Sequence, residues 1–264
     1  IEPDSLLEEN PGLIWCTITG FGEESERAGY DLVVQAESGW MAITGPPDGE
    51  PTKIGVALAD IVAGKDAAIA ILAALVRKAT AHEPVPPEER RIFISLISSA
   101  TACLVNVAQN SLVTGRDARR WGNEHPNLVP YQLFHAADRP FVIAVGNDAQ
   151  WKACALALGL DDLASDETLA TNAGRLAERH RIVSAMSERL STRPAAHWTG
   201  ALDAARGPCG VVKSVLESVA EAGASPLTGI GPSVPGSVRL PPPMLDEHGA
   251  LIRSDGWMAF RSLA

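Results

Sequence analysis

The chain has 264 residues, 46 % of them apolar, which is enough for a packed core and excludes a disordered polymer. Its net charge of −10, with no long basic cluster, excludes a nucleic-acid footprint. The longest apolar run, near Ala67 to Val76, is too short to span a bilayer and is flanked by charge, so no membrane partner is expected.

The chain starts with a helical piece, Pro3 to Glu9, broken at Asn10-Pro11-Gly12. Residues 13–19 form an apolar, β-branched run and read as a buried strand. A polar loop follows to Gly29, and the mixed spacing of residues 30–44 predicts one helix. Gly45 to Pro51 is a turn cluster. Residues 54–59 read as an extended segment running into a helix over 61–79, with Asp60 at the junction. A carboxylate there meets unpaired backbone N–H groups and the positive end of the helix dipole. That suits either a helix cap or an ionised nucleophile, and position alone favours the cap.

Residues 81–90 are rich in proline and charge and form a loop. A short strand is expected over 91–95 and one helix over 96–113. The alternation of strand and helix predicts a parallel α/β sheet. The glycines, proline and charges of residues 114–127 break the rhythm and read as a linker. Residues 129–135 and 141–146 form a hairpin about Ala136 to Pro140. Helices follow: one capped by Asp148 and running to Leu158, one over 166–190 with a break near Asn172-Ala173-Gly174, and one over 193–205 with Pro194 in its first turn. Residues 209–212 are extended, Ser214 starts a helix ending near Gly223, and 238–240 form a last strand before Pro241-Pro242-Pro243. The fold class is therefore α/β: a partial Rossmann-like parallel-sheet domain over 1–115, a linker over 116–127, a smaller α+β domain over 128–240, and a tail over 241–264 that returns to the first domain.

Most local chemistry has a plain reading. Six histidines lack metal-ligand spacing, so no metal is expected. Cys16, Cys103, Cys154 and Cys209 are far apart in apolar surroundings, which points to buried free thiols. With no secretory signal at Ile1, a reducing cytoplasmic setting is expected. Gly229-Ile230-Gly231 lacks the third glycine of a dinucleotide fingerprint.

Three segments stand out. Asn10-Pro11-Gly12 leads through Trp15-Cys16-Thr17-Ile18-Thr19 into Gly20-Phe21-Gly22. Next come Arg27-Ala28-Gly29-Tyr30-Asp31 with Gln35-Ala36-Glu37-Ser38-Gly39, and then Val56-Ala57-Leu58-Ala59-Asp60-Ile61-Val62-Ala63-Gly64. With Trp121-Gly122-Asn123-Glu124-His125-Pro126-Asn127, Val129-Pro130-Tyr131, Gly207-Pro208-Cys209-Gly210 and Pro242-Pro243-Met244-Leu245, this ordered set resembles the class III coenzyme A transferases. That family includes formyl-CoA transferase, the carnitine CoA-transferases and the α-methylacyl-CoA racemases. The resemblance is greatest to the branch that uses dicarboxylates, the succinyl-CoA:glutarate CoA-transferases.

The resemblance implies that Asp60 is the catalytic nucleophile. It also implies that Tyr30 and Gln35 line the acyl-CoA site, and that the loop of Gly122, Asn123 and His125 closes over it. Coenzyme A enters as substrate, with a carboxylic acid as acceptor and no permanently bound cofactor. An interlaced homodimer is implied as well. The family's fold has a substantial portion before the segment matching Pro3 to Asn10, so the large domain is expected to be N-terminally incomplete. Two other readings follow from the same resemblance, a racemase-like isomerase and a non-catalytic, truncated transferase-like protein. The racemases carry His where this chain has Tyr30, and a phenol with an unperturbed pKa of about 10 is a poor base for proton abstraction.

Overall fold

In the computed structural model, residues 2–222, 246 and 249–255 are described. The chain forms two compact units, Ile1–Leu128 and Val129–Ala264. Both mix helices and strands, and the fold is α/β.

The first unit starts with α1 (Pro3–Glu9) and β1 (Trp15–Thr19). Helices α2 (Asp31–Glu37), α3 (Trp40–Ile43) and α4 (Leu58–Thr80) follow, then a single helical turn, α5 (Pro87–Arg90), and β2 (Arg91–Ser95). β1 and β2 pair in parallel, Trp15 opposite Arg91 through Thr19 opposite Ser95. The helices between them make the crossover that parallel strands require. α6 (Leu96–Ala102) and α7 (Val105–Thr114) close the unit.

The core of this unit lies under the small face of α4. Ala59, Ala63 and Ala67 recur at every fourth position and are all buried. Small side chains let Val34, Trp40, Leu96 and Ala100 pack close to the α4 backbone. Trp40 anchors the cluster by donating its indole N–H to the Ala100 carbonyl at 2.9 Å. The larger aliphatics of α4, including Ile61, Ile69, Leu72 and Val76, are exposed.

Four expectations are corrected here. Residues 30–44 are not one helix: Gly39 takes φ +92°, a conformation glycine tolerates, and splits the run into α2 and α3. Residues 96–113 are likewise two helices, α6 and α7, meeting at 74°. Among the described residues no single helix is long and apolar enough to cross a membrane. Residues 54–57 are irregular, and α4 starts at Leu58. The Ile54 N–H and the Val56 carbonyl pair with the Gln35 side chain and not with a neighbouring strand. Finally, Cys103 is exposed, whereas Cys154 is buried deeply enough that its thiol is pushed up to about 12.

The second unit has a three-stranded antiparallel sheet, in the order β3 (Tyr131–His135), β4 (Pro140–Ala144), β5 (Cys209–Val211). Between β4 and β5 lie α8 (Asp148–Ala157), α9 (Asp161–Ser165), a 3-10 turn (Glu167–Leu169), α10 (Asn172–Ala177), α11 (Arg179–Leu190) and α12 (Ala195–Ala204). The expected cap Asp148 is inside the helix. Asn147 caps it, accepting from the Gln150 N–H at 2.9 Å, because its extended backbone directs the side-chain oxygen at that amide. The helix expected over 166–190 is three pieces, since Asp166 and Thr171 each turn their side chains back onto a following N–H. Phe134, Phe141, Ile143, Trp151, Ile182, Met186 and Trp198 form the core. The strand expected at 238–240 and the run Pro241 to Pro243 lie outside the described residues.

α13 (Val215–Glu221) starts at a capping box made by Ser214 and Glu217. Arg139, in the β3–β4 turn, grips the same Glu217 with Nη1 and Nη2 of its guanidinium, at 3.0 and 2.9 Å. The guanidinium and the Ser214 N–H hold the Glu217 carboxyl down at about 2, below its ordinary 4.5. A depressed carboxylate pKa contributes stability that is complete above the ordinary value and is lost as pH falls from about 4.5 through about 2. Carbon-detected NMR titration is expected to find the Glu217 carboxyl near that lower value, and Arg139→Gln to move it back up. A Glu217 midpoint that Arg139→Gln leaves in place would refute this pairing.

Candidate functional site

Asp60 is the third residue of α4, within its first turn. Its side chain is exposed and makes no hydrogen bond or ion pair among the described residues. The residue in the capping position, Ala57, has no side chain with which to cap. That role falls to a residue from another helix: one Asp31 carboxylate oxygen accepts the Ala59 N–H at 2.8 Å. Asp31 satisfies an orphan amide at the positive end of the helix, so Asp60 is not needed there. An exposed, uncommitted carboxylate keeps its lone pairs available for attack on an electrophile.

Asp31 is held in turn by Gln35, one helical turn along α2. The Gln35 side-chain nitrogen donates to the other Asp31 oxygen at 2.6 Å and to the Val56 carbonyl at 3.3 Å. Its oxygen accepts the Ile54 N–H at 2.8 Å. Gln35 is fully buried, so its amide faces protein on every side. Tyr30, by contrast, is the N-cap residue of α2 and is 73 % exposed. Tyr30 and Asp60 each adjoin, in sequence, one member of the Asp31–Ala59 hydrogen bond. Asp31 was not among the residues expected at the site. The spacing of Asp31 and Gln35, four residues apart on a helix, is the signal that would have found it.

The start of α2 is set by a close backbone approach. Gly20, after β1, and Gly29, before α2, touch so closely that a Cβ on either would overlap the other's Cα. Gly29→Ala is expected to shift the start of α2 and to cost about 1–3 kcal/mol, as overpacking does. Urea unfolding measures the cost, and an unchanged midpoint would show that the two loops part freely.

The remaining residues expected at the site lie elsewhere in the first unit. Gly122, at φ +59°, donates its N–H to the Gly45 carbonyl at 3.1 Å and so docks the 121–125 loop on the turn after α3. Arg120 braces the same turn through the Pro46 and Gly49 carbonyls. His125 accepts the Asn127 N–H on Nδ1 at 3.0 Å, and Asn123 is exposed. Gly122 and His125, with Asn110, Arg116 and Trp121, line a cleft of about 810 Å³. Asp60, Tyr30 and Gln35 are not in its wall. Asp60, Asp31, Gln35 and Tyr30 thus form one group, and the Gly122–His125 loop a second. Among the described residues no cluster of His, Cys, Asp and Glu is arranged to hold a metal ion.

The family model for CoA-transferase family III matches residues 1–226. The succinate--glutarate CoA-transferase of Agrobacterium fabrum is 38 % identical over 224 residues, which is 84 % of this chain and 55 % of that protein. The succinyl-CoA:glutarate CoA-transferase of Mus musculus is 37 % identical over 217 residues, 80 % of this chain and 48 % of that one. The chain therefore spans about half the length of these curated relatives. The crystal structure of a CAIB/BAIF family protein from Brucella suis shares the fold, with a TM-score of 0.78 at 35 % identity over 97 % of this chain and 71 % of that one. The protein belongs to CoA-transferase family III.

Proposed function

We propose that this chain carries the nucleophilic centre of an acyl-CoA:carboxylate CoA-transferase, with Asp60 as the group that is acylated. The observation that carries this reading is the exposed Asp60 carboxylate, unpaired among the described residues, in a helix turn whose capping is done by Asp31. An Asp60 oxygen attacks the donor thioester carbonyl. The C–S bond breaks, coenzyme A leaves as thiolate, and a mixed anhydride remains. The thiolate then attacks the Asp60 carbonyl carbon, the donor acid leaves as carboxylate, and Asp60 becomes a thioester of coenzyme A. The acceptor carboxylate runs the same steps in reverse, forming the new acyl-CoA and freeing Asp60. Acyl activation is kept throughout, so no ATP is consumed, and one difficult step becomes several easier ones. Coenzyme A is a substrate here and not a resident cofactor.

Dicarboxylic acids are the proposed donor and acceptor class, since the relatives described above are named for succinate and glutarate. Tyr30 is exposed at the head of α2, next to the capping contact, where a substrate would reach it. The Gly122–His125 loop is the proposed cover on the strength of the family resemblance, since the cleft it lines leaves out Asp60, Tyr30 and Gln35. A cytoplasmic homodimer completes the proposal, and the exposed aliphatic row of α4 supplies apolar surface for a second copy.

The reading is tested by incubating the chain with succinyl-CoA, quenching with hydroxylamine and digesting with trypsin. Cleavage after Lys53 and Lys65 isolates residues 54–65, in which Asp60 is the sole acidic side chain. A hydroxamate on that peptide is expected. Folded protein that never acquires it overturns the reading, and α-proton exchange without transfer would replace it with an isomerase.

A further inference from the structure

We propose that Gln35 is a positioning residue, whose buried carboxamide fixes the irregular segment 54–57 and, through Asp31, the place at which α4 presents Asp60. The proposal rests on Asp60 being the acylated group.

A side-chain amide offers two N–H donors and an acceptor oxygen. In Gln35 both kinds are engaged, and every partner bears on the approach to Asp60. The oxygen takes the Ile54 N–H, and the nitrogen gives to the Val56 carbonyl and to Asp31. Residues 54–57 have no helix or strand ladder of their own, and Gly55 and Val56 are exposed. Two of their backbone polar groups are instead paired by one side chain. The same side chain orients the Asp31 carboxylate, whose second oxygen takes the Ala59 N–H. Gln35 therefore reaches Asp60 by two routes, the backbone of 54–57 and the cap on α4.

Complete burial leaves Gln35 no surface for a substrate, so its effect on turnover runs through Asp60. The chemistry is sensitive to such control. A reacting carboxylate must lie about 3–3.5 Å from the carbonyl it attacks, and a misplacement of about 1 Å costs on the order of a hundredfold in rate. A helix start that lacks its own cap is free to fray or shift by part of a turn unless something external holds it. A pure packing role would affect stability and leave the acylation rate of the folded protein alone.

The test compares wild type with Gln35→Met, which keeps length and loses the hydrogen bonds, and with Asp31→Asn, which keeps an oxygen for the Ala59 N–H but removes the charged acceptor of Gln35. A third variant, Gln35→Glu with Asp31→Asn, reverses donor and acceptor across the pair, keeps an acceptor for the Ile54 N–H and gives up the Val56 contact. Acylation of Asp60 by succinyl-CoA is followed on the 54–65 peptide as a function of succinyl-CoA concentration. Amide hydrogen exchange is read at Ile54 and Ala59.

In Gln35→Met both amides are expected to exchange at least about tenfold faster. The acylation rate at saturation is expected to fall about a hundredfold, with the half-saturating concentration moved by less than about threefold. Asp31→Asn is expected to slow acylation about tenfold, and the reversed pair to recover about tenfold over Gln35→Met. Asp31→Asn, read against wild type, remains decisive even where Gln35→Met does not fold. A folded variant set that acylates at the wild-type rate overturns the positioning role. So does a raised half-saturating concentration at an unchanged maximal rate, which would make Gln35 a binding residue. Unchanged exchange at Ile54 and Ala59 overturns it without reference to chemistry. A wild-type chain with both amides protected and no acylation overturns the Asp60 reading, and this proposal with it.

Discussion

Asp60→Ala is expected to abolish transfer of coenzyme A from succinyl-CoA to a dicarboxylic acid, lowering the rate by roughly 10⁴-fold or more, as removal of an enzyme nucleophile does. The same substitution is expected to leave the fold almost untouched. The Asp60 carboxylate has no hydrogen bond or ion pair to lose among the described residues, and the side chain is exposed. What it gives up is its attraction to the α4 dipole, about 0.3–1 kcal/mol for a surface position, and alanine is itself a strong helix former. The contrast with Asp31→Ala makes the experiment specific. Asp31 provides the external cap of α4 and the acceptor for Gln35, so its loss is expected to cost about 1–2 kcal/mol, as lost caps do. Transfer measured with succinyl-CoA and glutarate, alongside urea unfolding of both variants, separates a chemical role from a scaffolding one. An Asp60→Ala protein that still transfers coenzyme A within tenfold of the wild-type rate, an order-of-magnitude bound, would remove Asp60 from the mechanism.

The order of elements was readable because it is written in local patterns. β1 and β2 are short runs rich in β-branched and apolar residues, and α4 is a long run of helix formers. Asp60 stood out for a similar reason, since in the sequence it follows an apolar run and precedes a helical one, while in the structure it is the third residue of α4. What was not readable depends on contacts distant in sequence. The segment 54–59 carries the apolar pattern of a strand, yet a glutamine nineteen residues upstream takes the Ile54 N–H and the Val56 carbonyl, and no ladder forms there. The cap of α4 comes from Asp31, twenty-eight residues away, and the helix starts at Leu58, three residues earlier than local signals placed it. The bend between α6 and α7 has no glycine or proline to mark it. It falls at Cys103 and Leu104 and is followed by Val105 at φ +36°, an unusual conformation for a β-branched residue. Gly39, by contrast, was visible in the sequence as a helix terminator and lay inside the run read as one helix.

Arg175→Met is expected to be among the most destabilising single changes in the second unit. The guanidinium is 1 % exposed, and four oxygens surround it. Nε donates to the Val129 carbonyl at 2.9 Å, Nη1 to the Leu169 and Ala170 carbonyls at 3.0 and 3.2 Å, and Nη2 to the Asp148 carboxylate at 2.8 Å. These partners join the strand entry at Val129, the 3-10 turn and the start of α8 through one side chain. Methionine matches the length and much of the volume but donates nothing, so the carbonyls lose their partner without gaining water. A buried polar group left unsatisfied costs about 1–3 kcal/mol. Three carbonyls, partly relieved by relaxation, give an expected loss of about 3–5 kcal/mol. With a urea m-value of about 1–3 kcal/mol/M, the unfolding midpoint drops by about 2 M. The ion pair contributes little of this. The Asp148 side chain is 57 % exposed, and exposed pairs contribute at most about 1 kcal/mol. Asp148→Asn is therefore expected to move the midpoint by less than about a quarter of the Arg175→Met shift, an order-of-magnitude division that follows from the same figures. The two variants rank the terms directly: equal shifts would make the charge pair the anchor of this unit, and a small shift in Arg175→Met would mean that the carbonyls reach water once the guanidinium is gone.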